Sequence, residues 1–382
     1  MAATLRCDTI QNASSSTANL TLDASGNATV ANTLVMGSSF KRNKIINGDM
    51  RVDQRNNGAS LTITTGNEYC LDRYQGVVSV SSKFSVQQST TAPVGFVNSL
   101  KATSLSAYTV GAVEQFSIRQ HIEGLNISDL AWGTANAKTV TLSFQVYSSL
   151  TGTFGGALYN SNGSRSYPFS YSISSANTWT SISITIAGDT TGTWLTTNGV
   201  GITVNFGLGV GSSQSATAGT WAAGFYASAT GATSVVGTNG ATFYITGVQL
   251  EVGSVATPYE RQIYSDQLAQ CQRYLPAFQS TGTVSYLPYS GSGASSTAQS
   301  GVFIFQVVTR TAPTGLVISS ASHFRSDNAS GNVAVTAVNF ATAGLTSARI
   351  EFVSASGISA NVPYGAYANT TSGYLYFTGC EL

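Results

Sequence analysis

Alternation of apolar and polar residues is the feature that most constrains how this chain folds. Apolar side chains recur at every second position in several stretches: residues 140–146, 182–186, 202–210, 302–308, 333–338 and 348–353. A period of two places successive side chains on opposite faces of a strand, so one face packs inside and the other meets water. Clusters of Gly, Asn and Ser separate these stretches and are typical of turns. Antiparallel strands in series predict a β-sandwich or jelly roll.

One segment departs from this period. Four residues are spaced as they would be along one face of a helix: Tyr264, Leu268, Cys271 and Leu275. Ser265 stands where an N-cap side chain is needed, and Pro276 cannot continue a helix. We therefore predict a linker helix over residues 263–276.

These periods predict an all-β chain in several parts. Residues 1–42 contain a hairpin signal around the Ser25-Gly26-Asn27 turn but too few apolar residues for a core of their own, which predicts an attachment or oligomerisation arm. Residues 43–262 are predicted to form a large antiparallel β-sandwich; alternation alone does not distinguish a jelly roll from another sandwich. Residues 277–382 are predicted to form a smaller β-sandwich at the tip, with a mobile or tip loop over the Gly/Ser-rich residues 290–300.

The composition limits which partners the chain can have. Charged residues make up 9% of it, against roughly 25% in an ordinary globular domain. With a net charge of +1 there is no basic face for nucleic acid. The hydrophobic fraction of 42% supplies a core and excludes global disorder. We expect a surface built from uncharged polar groups.

Targeting signals and cysteine spacing point to synthesis in a cytoplasm. The first twelve residues lack the apolar run of a signal peptide, and no stretch approaches the ~18 apolar residues that insert into a membrane. The cysteines have neither metal-ligand spacing nor a disulfide framework: Cys7, Cys70, Cys271 and Cys380. We expect free, buried thiols, no metal and no cofactor. A protein that is made in a cytoplasm but has a surface composition suited to the outside of a cell is typical of a particle that is assembled inside a cell and released by lysis.

Residues 41–55 hold five of the seventeen basic residues. Lys41, Arg42 and Lys44 are candidates for attachment to a partner in a particle. The alternative is a solvated strand edge in which Asp49 and Asp53 pair with the basic side chains.

Catalytic groups are scarce. His121 and His323 are the only histidines, and neither stands near a Gly-x-Ser-x-Gly nucleophile elbow. We expect no catalytic residues and no enzyme activity. The open alternative is a glycosidase-like carboxylate pair drawn from the acids nearest His121, namely Glu114, Glu123 and Asp129.

Aromatic residues carry the stronger functional signal. The chain has 18 tyrosines, and a tyrosine ring can stack on a sugar while its hydroxyl forms hydrogen bonds. Four of them, in two pairs, are the candidates for receptor binding: Tyr286, Tyr289, Tyr364 and Tyr367. The alternative is that they pack inside the sandwich or a trimer interface. The tryptophans are expected to be core or rim residues: Trp132, Trp179, Trp194 and Trp221.

Several segments resemble a known family, the carbohydrate-binding-module-like jelly roll of bacteriophage tail fibres. Residues 43–55 and 69–74 resemble its opening, residues 179–194 its middle, and residues 243–261 and 264–274 its closing strand and helix. Residues 305–313, which end in Arg-Thr-Ala-Pro, are similar to the distal β domain that often follows.

The resemblance implies a virion structural protein, usually a homotrimer. As a tail fibre it would bind a tail or baseplate adaptor through the N-terminal arm, and would attach the particle to host cell-surface polysaccharide by multivalent, non-catalytic binding. The shared motifs look like framework, so they imply no catalytic or ligand-binding residues. The alternatives are a purely structural capsid-decoration or tail-collar protein, or a glycan depolymerase.

The N-terminal arm generates a prediction about oligomeric state. Its apolar side chains, such as Leu5, Leu20 and Val30, cannot be buried by the arm alone, so we expect a homotrimer in which the arms pack near the axis. Light scattering should give three times the chain mass of 39.6 kDa. A monomer with an ordered arm would contradict the prediction.

Overall fold

The computed structural model describes residues 9–10, 20–22, 24, 28–30 and 41–382, and divides the chain into two compact units, Met1–Arg42 and Asn43–Leu382. In the first unit, β1 (Thr9–Ile10), β2 (Leu20–Leu22) and β3 (Ala28–Val30) form an antiparallel sheet. The pairing of Leu20 with Val30 confirms the predicted hairpin. Its turn at residues 25–27, together with Leu5 and Cys7, lies outside the described residues.

The second unit begins with a large β-sandwich. Its strands in chain order are β4 (Leu61–Thr62), β5 (Asn67–Tyr69), β6 (Tyr74–Val78), β7 (Phe84–Ser89), β8 (Ser99–Ser104), β9 (Gln115–Glu123), β10 (Val140–Ser148), β11 (Gly152–Tyr159), β12 (Arg165–Ile173), β13 (Thr180–Ile186), β14 (Val200–Val210), β15 (Ser215–Ala216), β16 (Ala222–Ala223), β17 (Ser228–Ala229) and β18 (Thr242–Val252). Short 3₁₀ turns lie at Gly124–Asn126, Ser128–Leu130 and Ser212–Gln214.

Two sheets face each other in this sandwich. One has the strand order β13-β10-β18-β8-β7-β4 and is called the six-stranded sheet below; the other has the order β16-β12-β11-β14-β9-β6-β5. The pairs within both are antiparallel, while β15 and β17 form a small parallel pair. Alternate residues from both sheets fill one continuous core, among them Leu100 and Leu142 from the first and Phe116 and Phe206 from the second. The predicted all-β sandwich is confirmed.

Strand β14 corrects one detail. Alternation over 202–210 predicts one wet face, but every residue from 201 to 209 is buried. The chain between β14 and β18 covers the outward side, where Asn205 Nδ2 donates to the Ala227 carbonyl at 2.8 Å. Gly207 permits this approach, since a Cβ there would lie 3.0 Å from Ser228 Oγ. A polar outward residue therefore indicates a wet face only where nothing folds over it.

The predicted helix is present as α1 (Tyr264–Gln272), shorter than residues 263–276. The expected N-cap at Ser265 is wrong, because Ile263 takes that position without a side-chain cap. The expected stripe is also shifted, since Tyr264 is 50% exposed while Gln267 is buried. Gln267 is satisfied there because its Nε2 donates to Asp49 Oδ1 at 2.6 Å and its Oε1 accepts from Arg51 at 2.7 Å. Among the described residues, none of the helices is long and apolar enough to cross a membrane.

A smaller β-sandwich follows α1, as predicted. Its strands are β19 (Ala277–Gln279), β20 (Ser285–Tyr286), β21 (Tyr289–Gly293), β22 (Ala298–Ile304), β23 (Gly315–Ile318), β24 (Phe324–Asn328), β25 (Gly331–Ala334), β26 (Ala337–Ala343), β27 (Ser347–Val353), β28 (Pro363–Ala368) and β29 (Tyr374–Thr378), with a 3₁₀ turn at Ala321–His323. The larger sheet has the order β25-β24-β28-β21-β22-β27-β26, with β20 paired to β28, and the smaller has the order β19-β29-β23. A second core of Phe, Leu and Ile side chains lies within this part of the chain.

Three expectations for this sandwich are wrong. Residues 290–300 form most of the β21–β22 hairpin, with Gly291 opposite Gly301, so only residues 294–297 form a loop. Residues 333–338 belong to two strands, β25 and β26. These strands lie at opposite ends of the sheet order, yet only two residues separate them in the chain, so the sheet curls strongly. The strand expected over 302–308 ends at Ile304, although Phe305 still points inward as alternation predicts, with its ring centroid 5.0 Å from that of Phe377.

Polar contacts hold α1 and the small sandwich on the large one. Arg273 NH2 binds Glu123 Oε1 at 2.6 Å, and the Tyr274 hydroxyl donates to Glu123 Oε2 at 2.6 Å, so the end of α1 is held on β9. Arg55 forms an ion pair with Glu381 near the end of the chain. These contacts make the part from Asn43 to Leu382 one compact unit.

The described cysteines are free and buried, as predicted: Cys70, Cys271 and Cys380. Burial raises the pKa of Cys70 to about 12 and that of Cys380 to about 11, so both remain thiols near neutral pH. Cys7 lies outside the described residues.

A buried ion pair closes one end of the large sandwich. Arg165 donates to both oxygens of Asp189, at 2.7 and 2.8 Å, and the Asp189 side chain is 2% exposed. The rings of three tryptophans meet edge to face nearby, with the Arg165 guanidinium 5.9 Å from one ring: Trp132, Trp194 and Trp221. Trp132 and Trp194 are buried, which agrees with the expectation that they are core or rim residues.

We predict that Asp189→Asn destabilises the protein at pH 7 by about 2–4 kcal/mol, because it leaves the Arg165 charge without its partner. Burial acts to raise the pKa of Asp189, but hydrogen bonds from Arg165 and Thr191 outweigh it and hold the pKa below its ordinary value. The contribution of Asp189 is therefore present above its unfolded pKa of about 4 and is lost as pH falls through the lower folded value. Urea unfolding at pH 7 and pH 3 measures both effects. Equal stability of variant and wild type at pH 7 would contradict the prediction.

Candidate functional site

The outward side of the six-stranded sheet, called the outer face below, carries a line of aromatic side chains. Tyr147 of β10 pairs in register with Tyr244 of β18, which pairs in turn with Lys101 of β8. Trp179 stands just before β13, and its ring centroid lies 5.5 Å from that of Tyr147. The Tyr147 and Tyr244 centroids are 5.1 Å apart. We call Trp179, Tyr147 and Tyr244, all half-buried, the aromatic row.

A groove of about 400 Å3 adjoins the aromatic row. Its floor is uncharged and consists of two cross-strand pairs from β10 and β13: Ser143 with Ser183, and Gln145 with Ser181. Gln145 Nε2 donates to Ser181 Oγ at 2.8 Å, which holds the amide across the two strands. Gln145 and Tyr147 are two residues apart on one face of β10, about 7 Å along the strand. The groove and the aromatic row therefore form one continuous surface.

The walls of the groove come from two loops, one before β8 and one after β18. Phe96 and Tyr259 meet edge to face there, with ring centroids 5.3 Å apart. The exposed guanidinium of Arg261 lies 4.7 Å from the Phe96 centroid and 6.0 Å from that of Tyr259. The rim thus combines two aromatic rings with one cation.

A bulge in β18 shapes the groove. The register between β10 and β18 shifts between Ser143 and Gln145, opposite Gly247. Gly247 has a φ of 62°, and a Cβ there would lie 2.8 Å from Phe96 Cζ. A glycine is required at this point because its backbone is left-handed and because the Phe96 ring occupies the space of a side chain.

The segment at 43–55 supports the groove from behind. Val248 N donates to the Gly48 carbonyl at 2.9 Å, and a Cβ on Gly48 would lie 2.2 Å from the Val248 oxygen. The same Cβ would lie 3.1 Å from the Tyr259 hydroxyl, so Tyr259 also reaches this point. Burial of the Tyr259 hydroxyl raises its pKa. This framework segment therefore fixes both the bulge and one wall.

The tyrosines predicted to bind a receptor are placed differently from one another. Tyr286 is 62% exposed, and its hydroxyl donates to Asp327 at 2.9 Å. Tyr289 packs edge to face on Phe352, and Tyr364 accepts the Ser359 N–H at 3.0 Å. Three of the four are buried: Tyr289, Tyr364 and Tyr367. The packing alternative describes these three, and Tyr286 is the member whose ring faces solvent.

The residues predicted to attach to a particle also differ in exposure. Lys41 is exposed and Arg42 is half-buried. Lys44 Nζ binds Asp129 at 2.8 Å, and its side chain is 13% exposed. Lys44 is therefore salt-bridged, but to Asp129 and not to Asp49 or Asp53. Arg51 binds Asp49 at 2.6 Å as the alternative has it, but the Asp49 side chain is 3% exposed, so this pair is not a solvated edge.

The possible catalytic groups near His121 are held apart by separate partners. Glu123 binds Arg273, Asp129 binds Lys44, and Glu114 accepts from the Tyr108 hydroxyl at 2.9 Å. His121 lies 2.7 Å from Thr203 Oγ1, and burial lowers its pKa to about 3, so the ring is neutral at pH 7. Within the described residues no group of three or more His, Cys, Asp or Glu is placed to hold a metal ion.

Sequence reasoning missed the outer face. Trp179 was expected in the core or rim, and Tyr147 and Tyr244 were not singled out. All three are far apart in the chain, and only the strand register brings them into a row. A usable signal was present, because each stands at an outward position, in phase with the Ser, Thr or Gln residues of an alternating strand.

Comparison with known proteins gives structural likeness only. No protein-family model matches the chain, and no curated protein matches it. The enzymatically active domain of bacteriophage CBA120 tailspike protein 4 is similar over 55% of this chain and 21% of its own, with 13% identity and a TM-score of 0.30. The chain thus matches about a fifth of that tailspike chain.

Carbohydrate-binding modules are also among the similar structures. The family 11 module from Clostridium thermocellum, in complex with a β-1,3-1,4-mixed-linked tetrasaccharide, has 11% identity and a TM-score of 0.26 over 51% of this chain and 97% of its own. The CBM22-1 xylan-binding domain from Paenibacillus barcinonensis Xyn10C has 8% identity and a TM-score of 0.25 over 53% and 99%.

We predict that Gly247→Ala disturbs the groove more than a matched glycine substitution does. Gly240→Ala is the control, since Gly240 also has a positive φ of 74° but has open space at its Cβ position. Both should lose about 1–2 kcal/mol of stability from left-handed strain. Gly247→Ala should lose about a further 1–3 kcal/mol because it displaces the Phe96 ring. Urea unfolding compares the two, and equal losses would contradict the prediction.

Proposed function

We propose that this protein is a virion component, a bacteriophage tail fibre that attaches the particle to host surface glycans without catalysis. We further propose that the outer face of the six-stranded sheet is its glycan contact. The resemblance of residues 43–275 to the tail-fibre jelly roll and the uncharged polar composition of the chain support the first statement. The second rests on the geometry of the aromatic row and the groove.

The single observation that carries the proposal is the continuity of aromatic rings with an uncharged hydrogen-bonding floor. Aromatic faces stack on the apolar faces of sugar rings, while Ser hydroxyls and a Gln amide can both donate and accept hydrogen bonds with sugar hydroxyls. The aromatic row lies on paired strands and the groove lies beside it, so these groups are held before a ligand arrives.

Non-catalytic binding is supported by what lines the groove. Glycoside hydrolysis needs two carboxylates that flank the bond. Within the described part of the chain, the residues that line the groove include neither a carboxylate nor an imidazole. Binding by such a shallow site is weak at each copy. Three copies in a homotrimer, and several fibres on a particle, would convert weak contacts into avidity.

The proposal is tested by replacing the aromatic row. Trp179→Ala and Tyr244→Ala should each reduce adsorption of the purified protein to host cells by roughly tenfold or more, since each removes a stacking ring. Ser183→Leu is included in case Trp179→Ala does not fold. Ser183 is exposed, so a leucine there would fill part of the groove floor. Melting temperature is measured beside adsorption, and incubation with host polysaccharide should release no new reducing ends.

Tyr286→Ala is the matched control, because it removes an exposed aromatic ring from the other sandwich. Unchanged adsorption of the folded outer-face variants would overturn the outer face as the contact. Loss of adsorption with Tyr286→Ala alone would place the contact among the C-terminal tyrosines. Adsorption that is absent in the wild-type protein would favour a purely structural virion component, and new reducing ends would favour a depolymerase.

A further inference from the structure

We infer that the groove takes an acidic sugar, one that carries a carboxylate, and that Arg261 is the residue that selects it. This inference rests on the proposed function and names the class of glycan bound at the same site. It concerns the only charged side chain that lines the groove within the described residues.

Arg261 is held in place yet left without an acidic partner. The Phe96 and Tyr259 rings lie 4.7 and 6.0 Å from its guanidinium carbon, which limits the positions it can take. The ion pairs of residues 41–382 do not include Arg261, although they do include Lys44, Arg51, Arg55, Arg165 and Arg273. Its side chain is exposed at the rim. A guanidinium fixed over rings and open on its far side can receive a carboxylate through two parallel hydrogen bonds.

The two acids nearest in sequence accept hydrogen bonds from other groups and do not line the groove. Glu251 is 2% exposed, and its oxygens accept from the Thr257 N–H at 2.8 Å and the Thr257 hydroxyl at 2.7 Å. Glu260 accepts the Asn43 N–H at 2.8 Å. Both carboxylates therefore accept hydrogen bonds from other groups. Among the charged side chains of the described residues, Arg261 is the one that lines the groove and that a ligand there would contact.

The outer face carries a second cation. Lys101 Nζ lies 5.7 Å from the Tyr244 ring centroid, at the end of the aromatic row. A glycan that lies along the groove and the row would meet two positive charges, Arg261 and Lys101, among neutral groups. A repeating acidic polysaccharide fits this pattern better than a neutral one. A neutral polysaccharide would displace water from Arg261 without forming an ion pair with it.

The test uses a glycan array on which each acidic polysaccharide is printed in its native form and as its carboxyl-reduced form, beside neutral polysaccharides. The wild-type protein should bind at least one native acidic glycan, and carboxyl reduction should weaken that binding by roughly tenfold or more. Arg261→Gln should lose binding to the native glycan to a similar extent and bind the reduced form as wild type does. Binding should also weaken as salt rises.

Arg349→Gln is the control, since it removes one exposed arginine charge from the other sandwich. Arg261→Lys separates charge from geometry and should retain part of the binding. A merely structural role for Arg261 would lower the melting temperature and weaken both forms alike, and that result would overturn the inference. Equal binding of the native and reduced forms, or binding of neutral glycans alone, would overturn the inference and leave the proposed function standing. Binding of no glycan, with Trp179→Ala adsorbing to cells as wild type does, would overturn both.

Discussion

The hydrogen bonds made by residues 43–55 are the constraint on which the rest of the structure depends. Asn43 Oδ1 accepts the Leu250 N–H at 3.0 Å, and Asn43 Nδ2 donates to the Val248 carbonyl at 3.1 Å, so the side chain of Asn43 is fixed to β18. Asn47 Nδ2 donates to the Val52 carbonyl at 2.8 Å and to the Asp72 carbonyl at 3.0 Å. Buried polar groups of this kind are costly unless they are satisfied. The segment therefore specifies one arrangement of the strand that closes the large sandwich, the helix that follows it and the bulge that shapes the groove.

The same segment links the large sandwich to the small one. Arg55 ends it and forms an ion pair with Glu381, while its guanidinium carbon lies 5.3 Å from the Tyr69 ring and 5.1 Å from the Tyr376 ring. Arg273 and Tyr274 make a second connection through Glu123. The part of the chain that resembles a framework is thus also where the two sandwiches are held together. This explains why a chain with so few charged residues places several of them in buried pairs: they fix relative positions, and uncharged groups are left to form the surface.

Much of the fold could be predicted from the sequence, because alternation survives wherever a strand has one covered face. Strands β10, β13 and β27 follow the expected pattern. The failures have local causes. Paired glycines made the β21–β22 hairpin look like a loop, although Gly291 and Gly301 make room for the Tyr289 ring: a Cβ on Gly301 would lie 2.7 Å from Tyr289 Cζ. The same packing buries a tyrosine that was expected to bind a receptor. Whether a tyrosine stacks on sugar or on a glycine pair depends on strand register, which composition does not report.

The candidate site was beyond sequence reasoning for a related reason. Tyr147 and Tyr244 lie on two strands and Trp179 lies just before a third, while the cation lies on a loop over Phe96, so no short motif contains the site. The scarcity of charge makes its electrostatics simpler than usual. Charges beyond about 8–10 Å are largely screened at physiological salt, so a ligand in the groove responds mainly to the groups beside it. In an ordinary protein surface, several charges of both signs would lie within that distance. Here the floor is Ser and Gln, and among the described residues the charged side chain that lines the groove is that of Arg261, held over the Phe96 and Tyr259 rings, so a ligand in the groove contacts a single charge there.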